Sequence, residues 1–136
     1  MALSNVVTIG CGDERTDPRT GSGAVAAVDL DAVAHNVHVL QQFAGDAAVM
    51  AVVKADGYNH GAVEVAHAAI AAGAQELGVT TIGEALELRA AGITVPVLAW
   101  LHRTDSDFAA AIAGQVGIGV STAAQLDAVV EAARRV

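Results

Sequence analysis

The 136-residue chain has room for one ordinary globular domain, and 54% hydrophobic residues with a mean hydropathy of +0.48 supply material for its core. Seven Lys+Arg against fifteen Asp+Glu leave a formal charge of −8, which repels nucleic-acid phosphates and anionic lipid headgroups. The single cysteine, Cys11, excludes an internal disulfide and makes no metal signature, which fits a reduced, cytoplasmic setting; no run reaches the roughly 18 uninterrupted apolar residues of a membrane helix.

Residues 1–23 mix Gly, Ser, Thr, Asp and Arg without a useful period and without a basic-then-hydrophobic signal pattern, so they read as a flexible leader. From residue 24 onward, short apolar runs alternate with helical patterns. A strand is expected over 24–29 and a helix over 31–44, with Val33, Val37 and Leu40 on one face, Asp29 or Asp31 as N-cap and Gly45 as its stop. Residues 49–53 are continuously apolar, as in a parallel strand covered on both faces, and end at Lys54. A loop over 55–61 leads into a helix to 72, with Val65, Ala69 and Ala72 inward and Gly73 closing it. The run 77–80 is a strand. Thr81 and Glu84 then stand in capping-box spacing before a helix that carries Leu86 and stops at Gly92. A strand over 95–101 tolerates Pro96 near its start. Asp107 opens a short helix to 113, residues 116–120 form a strand, and Thr122 with Gln125 opens a last helix to 135.

Strand starts at Val49, Leu77, Val95 and Val116 are roughly 18 to 28 residues apart, the spacing of βα units. The fold class is therefore α/β with a parallel sheet. About four units fit either half of a (β/α)8 TIM-type barrel or a small open doubly-wound sheet.

Chemistry concentrates in one stretch. Lys54 leaves the C-terminal end of a buried parallel strand, where α/β folds place ligands, and a lysine there can act as a nucleophile toward an aldehyde. From position alone, a lysine that merely surfaces at a strand end is the plainer reading. Tyr58, four residues on in a glycine-flanked turn, can direct its phenol back over the strand end, though packing is the plainer role. His60 has the same two readings, with turn hydrogen bonding the plainer. Gly57 and Gly61 suit positive φ or a close backbone approach. His35, His38, His67 and His102 match no ligand constellation and read as surface, so no metal is expected.

The string VVKADGYNHG resembles the pyridoxal-phosphate attachment motif of alanine racemases, fold type III enzymes whose N-terminal domain is a (β/α)8 barrel. The similarity runs from about Val28 to Val136 and is closest to actinobacterial members. VDLDAVAHNVHVL resembles the family's opening segment, and ELGVTTIGEALELRAAGITVPVLAWLH its next two units. By resemblance Lys54 is the catalytic lysine that carries pyridoxal 5'-phosphate as a Schiff base, and Tyr58 contacts the phosphate. Val52 matches a residue packing near the cofactor, and Trp100 an apolar residue facing its ring. One departure lies inside the motif: Asn59 stands where the family has glycine, and Asn is the residue other than glycine that best tolerates the left-handed region.

The resemblance further implies racemisation of L-alanine and D-alanine for peptidoglycan synthesis, in a cytoplasmic homodimer. The family's second catalytic base is a tyrosine from a C-terminal β-domain, contributed across the dimer. Tyr58 is the only tyrosine here, so residues 24–136 are read as the first half of the barrel domain, without the β-domain and incomplete for catalysis alone. The alternatives are a non-catalytic pyridoxal-phosphate-binding module and an inactive truncated half-barrel. A decarboxylase of the same barrel type fits less well, because the continuation after Lys54 resembles racemases.

Overall fold

Residues 6–10 and 25–136 are described by a computed structural model of the chain. Strands β1 (Val6–Gly10) and β2 (Val25–Asp29) pair antiparallel, with Val6 opposite Asp29 and Gly10 opposite Val25. β1 falls inside the segment expected to be a leader. Its Val-Val-Thr-Ile sequence is β-branched and suits a strand once β2 offers a partner. Residues 1–5 and 11–23 of that expected leader, and residue 24 of the expected strand, lie outside the described residues.

Helix α1 (Leu30–Ala44) starts on Asp29, whose Oδ1 accepts the Asp31 and Ala32 N–H groups at 3.0 and 3.2 Å. This decides between the two candidate caps. The expected apolar stripe of α1 is only partly buried: Val37 is covered, whereas Leu40 is 58% exposed. α1 meets the rest of the molecule through small side chains, with Val37 and Ala34 packed against Ala69, Ala72, Ala74 and Ala51. So narrow a contact covers one turn and leaves the next in solvent.

The main sheet is parallel and runs β3 (Met50–Val52), β4 (Glu76–Val79), β5 (Val97–Ala99), β6 (Gly117–Ile118), in that spatial order. Between the strands lie a turn, α2 (Lys54–Asn59), and the helices α3 (Ala62–Ala71), α4 (Ile82–Ala90) and α5 (Phe108–Ala113); α6 (Ala123–Ala133) follows β6. Every new strand is added on the same side of the last. A doubly-wound sheet reverses its direction of strand addition at a switch point, so the spatial order selects the barrel alternative, here as an unclosed arc of four strands.

The period of two along each strand separates two faces. Leu77, Val79, Val97 and Ala99 point into the helix layer and form one core with Ala66, Ile82, Ala85, Leu88, Phe108, Ala111 and Ala132. The register aligns Val52, Gly78, Leu98 and Gly117 on the opposite face. That face is open enough to leave Val52 40% exposed. The expectation that residues 49–53 are covered on both faces is thus corrected: helices cover one side, and the other is the concave side of the arc.

The N-terminal end of the sheet is held by Arg89. Its Nη1 donates to Ile93 O and Val95 O, each at 2.8 Å, its Nε to Gly114 O at 3.0 Å and its Nη2 to Gln115 O at 3.0 Å. One planar guanidinium therefore gathers the carbonyls of the two loops that enter β5 and β6.

Candidate cofactor site

β3 is short, but its ladder continues one residue past the strand, where Val53 N–H donates to Gly78 O at 2.9 Å. Val53 is buried, and Lys54 comes next, half-buried at the C-terminal end of the sheet. It is the only lysine in the chain.

The segment after it is unusual in its backbone. Ala55, Asp56, Gly57, Tyr58 and Asn59 have φ of 51, 52, 61, 59 and 62°, so α2 is a turn of left-handed sense instead of the expected plain loop. Each residue other than glycine in that conformation costs about 1–2 kcal/mol, and only Gly57 is free of the cost. The turn persists because hydrogen bonds over-determine it. Gly57 N–H donates to Val53 O at 2.9 Å, and the N–H groups of His60 and Gly61 both reach Asp56 O at 3.0 Å. Asp56 Oδ1 accepts the Ala62 N–H at 2.8 Å and so caps α3, whose own N-cap residue Gly61 has no side chain to do it. A Cβ on Gly57 would stand 3.3 Å from the Ala62 backbone, so glycine here serves a close approach as well as a positive φ. Asn59 occupies the left-handed region as expected for the residue replacing glycine. Backbone strain of this kind collects where a structure must hold a functional group in one place.

The turn brings Tyr58 back over the lysine: Lys54 Nζ lies 4.6 Å from the centroid of the Tyr58 ring, within cation–π range. Tyr58 as a whole remains 53% exposed. Among the described residues no carboxylate forms an ion pair with Lys54. His60 takes the plainer of its two readings, its Nδ1 donating to Gly57 O at 2.9 Å inside the turn.

Val52 lies on the open face beside Gly78. Trp100 follows β5 directly, and its indole edge fills the space over Gly78: a Cβ there would meet Trp100 Cζ3 at 2.6 Å and Met50 Sδ at 3.0 Å. Val52 and Trp100 are therefore brought to one patch of the concave face, while Lys54 and Tyr58 form a second cluster just past the strand end. Two grooves of about 480 and about 260 Å³ are lined by other residues, the first around Asp107, Phe108 and Ala132, the second around Met50, Glu76 and Gln115. Among the described residues no cluster of His, Cys, Asp and Glu has metal-binding geometry.

Two features escaped the sequence reading. Glu84 is a capping residue of α4 as expected, since Thr81 Oγ1 accepts Glu84 N–H at 3.2 Å and Glu84 Oε2 accepts Thr81 N–H at 2.8 Å. Its other oxygen, Oε1, accepts the Ala55 N–H at 2.7 Å, 29 residues away. Burial pushes the Glu84 carboxyl up, but the hydrogen bonds from Ala55, Thr81 and Thr80 together outweigh it and hold the group below its ordinary 4.5. His102 is the second: it is not a surface histidine, because its Nε2 donates to Ala99 O at 2.8 Å and its ring meets Phe108 edge-on at 5.8 Å.

Comparison with known proteins agrees with this geometry. Residues 28–136 match the family model "Alanine racemase, N-terminal domain". The chain is 61% identical over 112 residues to an alanine racemase of Mycobacterium ulcerans, covering 82% of this chain and 29% of that protein. It is 56% identical over 121 residues to one from Mycolicibacterium smegmatis, covering 89% and 31%. Among solved structures, alanine racemase from Streptomyces lavendulae superimposes with a TM-score of 0.77 at 47% identity, over 78% of this chain and 28% of that one. The enzyme from Corynebacterium glutamicum gives 0.72 at 47%, over 75% and 30%. The chain thus spans under a third of the length of the relatives it matches. Strand order, the lysine at the end of β3 and the match over residues 28–136 lead to one assignment: this chain belongs to the alanine racemase N-terminal domain family.

Proposed function

We propose that the chain is the cofactor-holding part of an alanine racemase, interconverting L-alanine and D-alanine with pyridoxal 5'-phosphate bound at Lys54. The observation that carries this is the chain's single lysine at the C-terminal end of a parallel strand, faced by Tyr58 across a strained, hydrogen-bonded turn. When bound, the cofactor supplies an aldehyde for an amine and a conjugated ring that draws electrons from the substrate Cα.

The residues present suit such a group. Lys54 offers the amine, Tyr58 a half-exposed phenol for the phosphate end, and Val52 and Trp100 an apolar patch that keeps water from the ring. Lys54 Nζ would hold the cofactor and, as a free amine, would exchange a proton with the substrate Cα on the D-alanine side. Tyr58 steadies the amine between these roles. Inversion needs a second acid/base on the opposite face, and Tyr58, the sequence's only tyrosine, is committed to Lys54. That second group is assigned to a tyrosine outside these residues, from a C-terminal β-domain across a homodimer. On this reading residues 24–136 are the opening half of the barrel domain. D-alanine from it would serve peptidoglycan synthesis in the cytoplasm. Among the described residues no helix is long and apolar enough to cross a membrane.

The test follows the Lys54 half-reaction by itself. Incubated with cofactor and D-alanine in D₂O, the protein should place deuterium on Cα, and Lys54→Ala should reduce the rate to that of free cofactor. Exchange that persists in Lys54→Ala, or that is faster from L-alanine, would refute the assignment.

A further inference from the structure

We propose that Glu84 is a positioning residue for Lys54, acting through the Ala55 amide and not only as a helix cap. The proposal rests on the reading of Lys54 as the cofactor lysine. A capping box requires one carboxylate oxygen on the N-cap N–H. Glu84 Oε2 meets that need and more, accepting from Thr81 N–H at 2.8 Å, Thr80 N–H at 2.9 Å and Thr81 Oγ1–H at 3.1 Å. Oε1 is superfluous to the cap, and its partner among the described residues is the Ala55 N–H, the first amide after Lys54.

The bond joins the end of β3 to the start of α4. It lands on the first of five residues with positive φ, where the chain turns sharply and where, among the described residues, the Tyr58 ring is the side-chain contact of Lys54. Ala55 is exposed, so water can satisfy its amide if Glu84 withdraws. Loss of the bond should therefore cost little folding stability and instead free the direction in which the strand end, and Lys54 with it, leaves the sheet. A charge-assisted bond of 2.7 Å from a helix anchored by its buried Ile82, Ala85 and Leu88 defines that direction.

Glu84→Gln separates the two roles. The amide has one acceptor oxygen, and placing it on the three donors of Thr80 and Thr81 leaves its NH₂ facing the Ala55 N–H, donor against donor. Gln at this position still completes a capping box. Thr81→Ala does the reverse, removing the side-chain acceptor of the cap while leaving both Glu84 oxygens in place.

The experiment treats wild type, Glu84→Gln and Thr81→Ala with sub-saturating pyridoxal 5'-phosphate, reduces with borohydride, and reads pyridoxyl label on Lys54 relative to the amino-terminal amine. Ala55 amide exchange and thermal midpoints are read on the same samples. We expect Glu84→Gln to lower the Lys54 ratio by about tenfold and to speed Ala55 exchange, with a midpoint lowered less than that of Thr81→Ala. Thr81→Ala should lower the midpoint and leave both other readings at wild-type values. Equal labelling in Glu84→Gln and wild type would overturn the proposal, as would equal losses in the two variants or a midpoint lower in Glu84→Gln than in Thr81→Ala. A wild type whose Lys54 is labelled no better than the amino terminus would instead overturn the underlying reading of Lys54.

Discussion

The two ends of the parallel sheet are organised by one helix, and in opposite ways. Near its start α4 carries Glu84, an acceptor that collects donors from Ala55, Thr80 and Thr81 beyond the C-terminal ends of β3 and β4. Near its end it carries Arg89, a donor that collects carbonyls from the loops entering β5 and β6. Each charge suits the helix dipole at its own end. Yet the backbone they hold differs. Arg89 ties down loops whose job is to deliver strands, whereas Glu84 borders a left-handed turn in which four residues other than glycine sit at positive φ. In barrel folds the strand N-terminal end serves stability and the C-terminal end serves chemistry. The same division runs along nine residues of α4 here.

If that division holds, Arg89→Ala should produce the largest loss of stability, about 3 kcal/mol by urea denaturation, because half-buried carbonyls lose a charged donor that no nearby group replaces. Arg89→Lys should recover only part, since an ammonium cannot span four carbonyls with a planar fork. A loss under about 1 kcal/mol in Arg89→Ala would break the contrast between the two ends.

Acid should act on the other end. The folded Glu84 carboxyl ionises below its ordinary 4.5, so the stability it contributes is complete above that value and is lost as pH falls through the lower, folded one. Thermal midpoints of wild type should therefore drop more steeply with acid than those of Glu84→Gln, which has no proton to take up there. Parallel curves for the two proteins would contradict this.

The smallest effect is expected at Asn59. Asn59→Gly removes left-handed strain of about 1 kcal/mol and should leave affinity for pyridoxal 5'-phosphate equal or slightly better, as read by fluorescence titration. Clearly weaker binding would give the Asn59 side chain a contact of its own.

Much of this architecture can be read in the sequence because it is local. The runs at Met50, Leu77 and Val97 are apolar and β-rich, Thr81 with Glu84 spells its own cap, and the stretch around Lys54 is long enough to resemble one family. What could not be read depends on partners far along the chain or on backbone without a residue signature. Ala55, Asp56 and Tyr58 are ordinary residues that give no warning of positive φ, whereas Gly57, Gly61 and, through the resemblance, Asn59 suggested a special conformation. Glu84 Oε1 meets an amide 29 positions away, and Arg89 meets carbonyls up to 26 positions away, so neither bond leaves a periodic trace. Trp100 is legible as an apolar strand-end residue, but its seat over Gly78 appears only when β4 and β5 are placed side by side.

The central claim is that the C-terminal end of β3 is the reactive end, with Lys54 as its nucleophile. Because the chain has one lysine, a single measurement addresses it: treatment with pyridoxal 5'-phosphate, borohydride reduction and peptide mapping by mass spectrometry. The account predicts the pyridoxyl group on the peptide containing Lys54, in excess over the amino-terminal amine, with that excess reduced in Tyr58→Ala. Label confined to the amino terminus, or shared equally between the two amines, would contradict it.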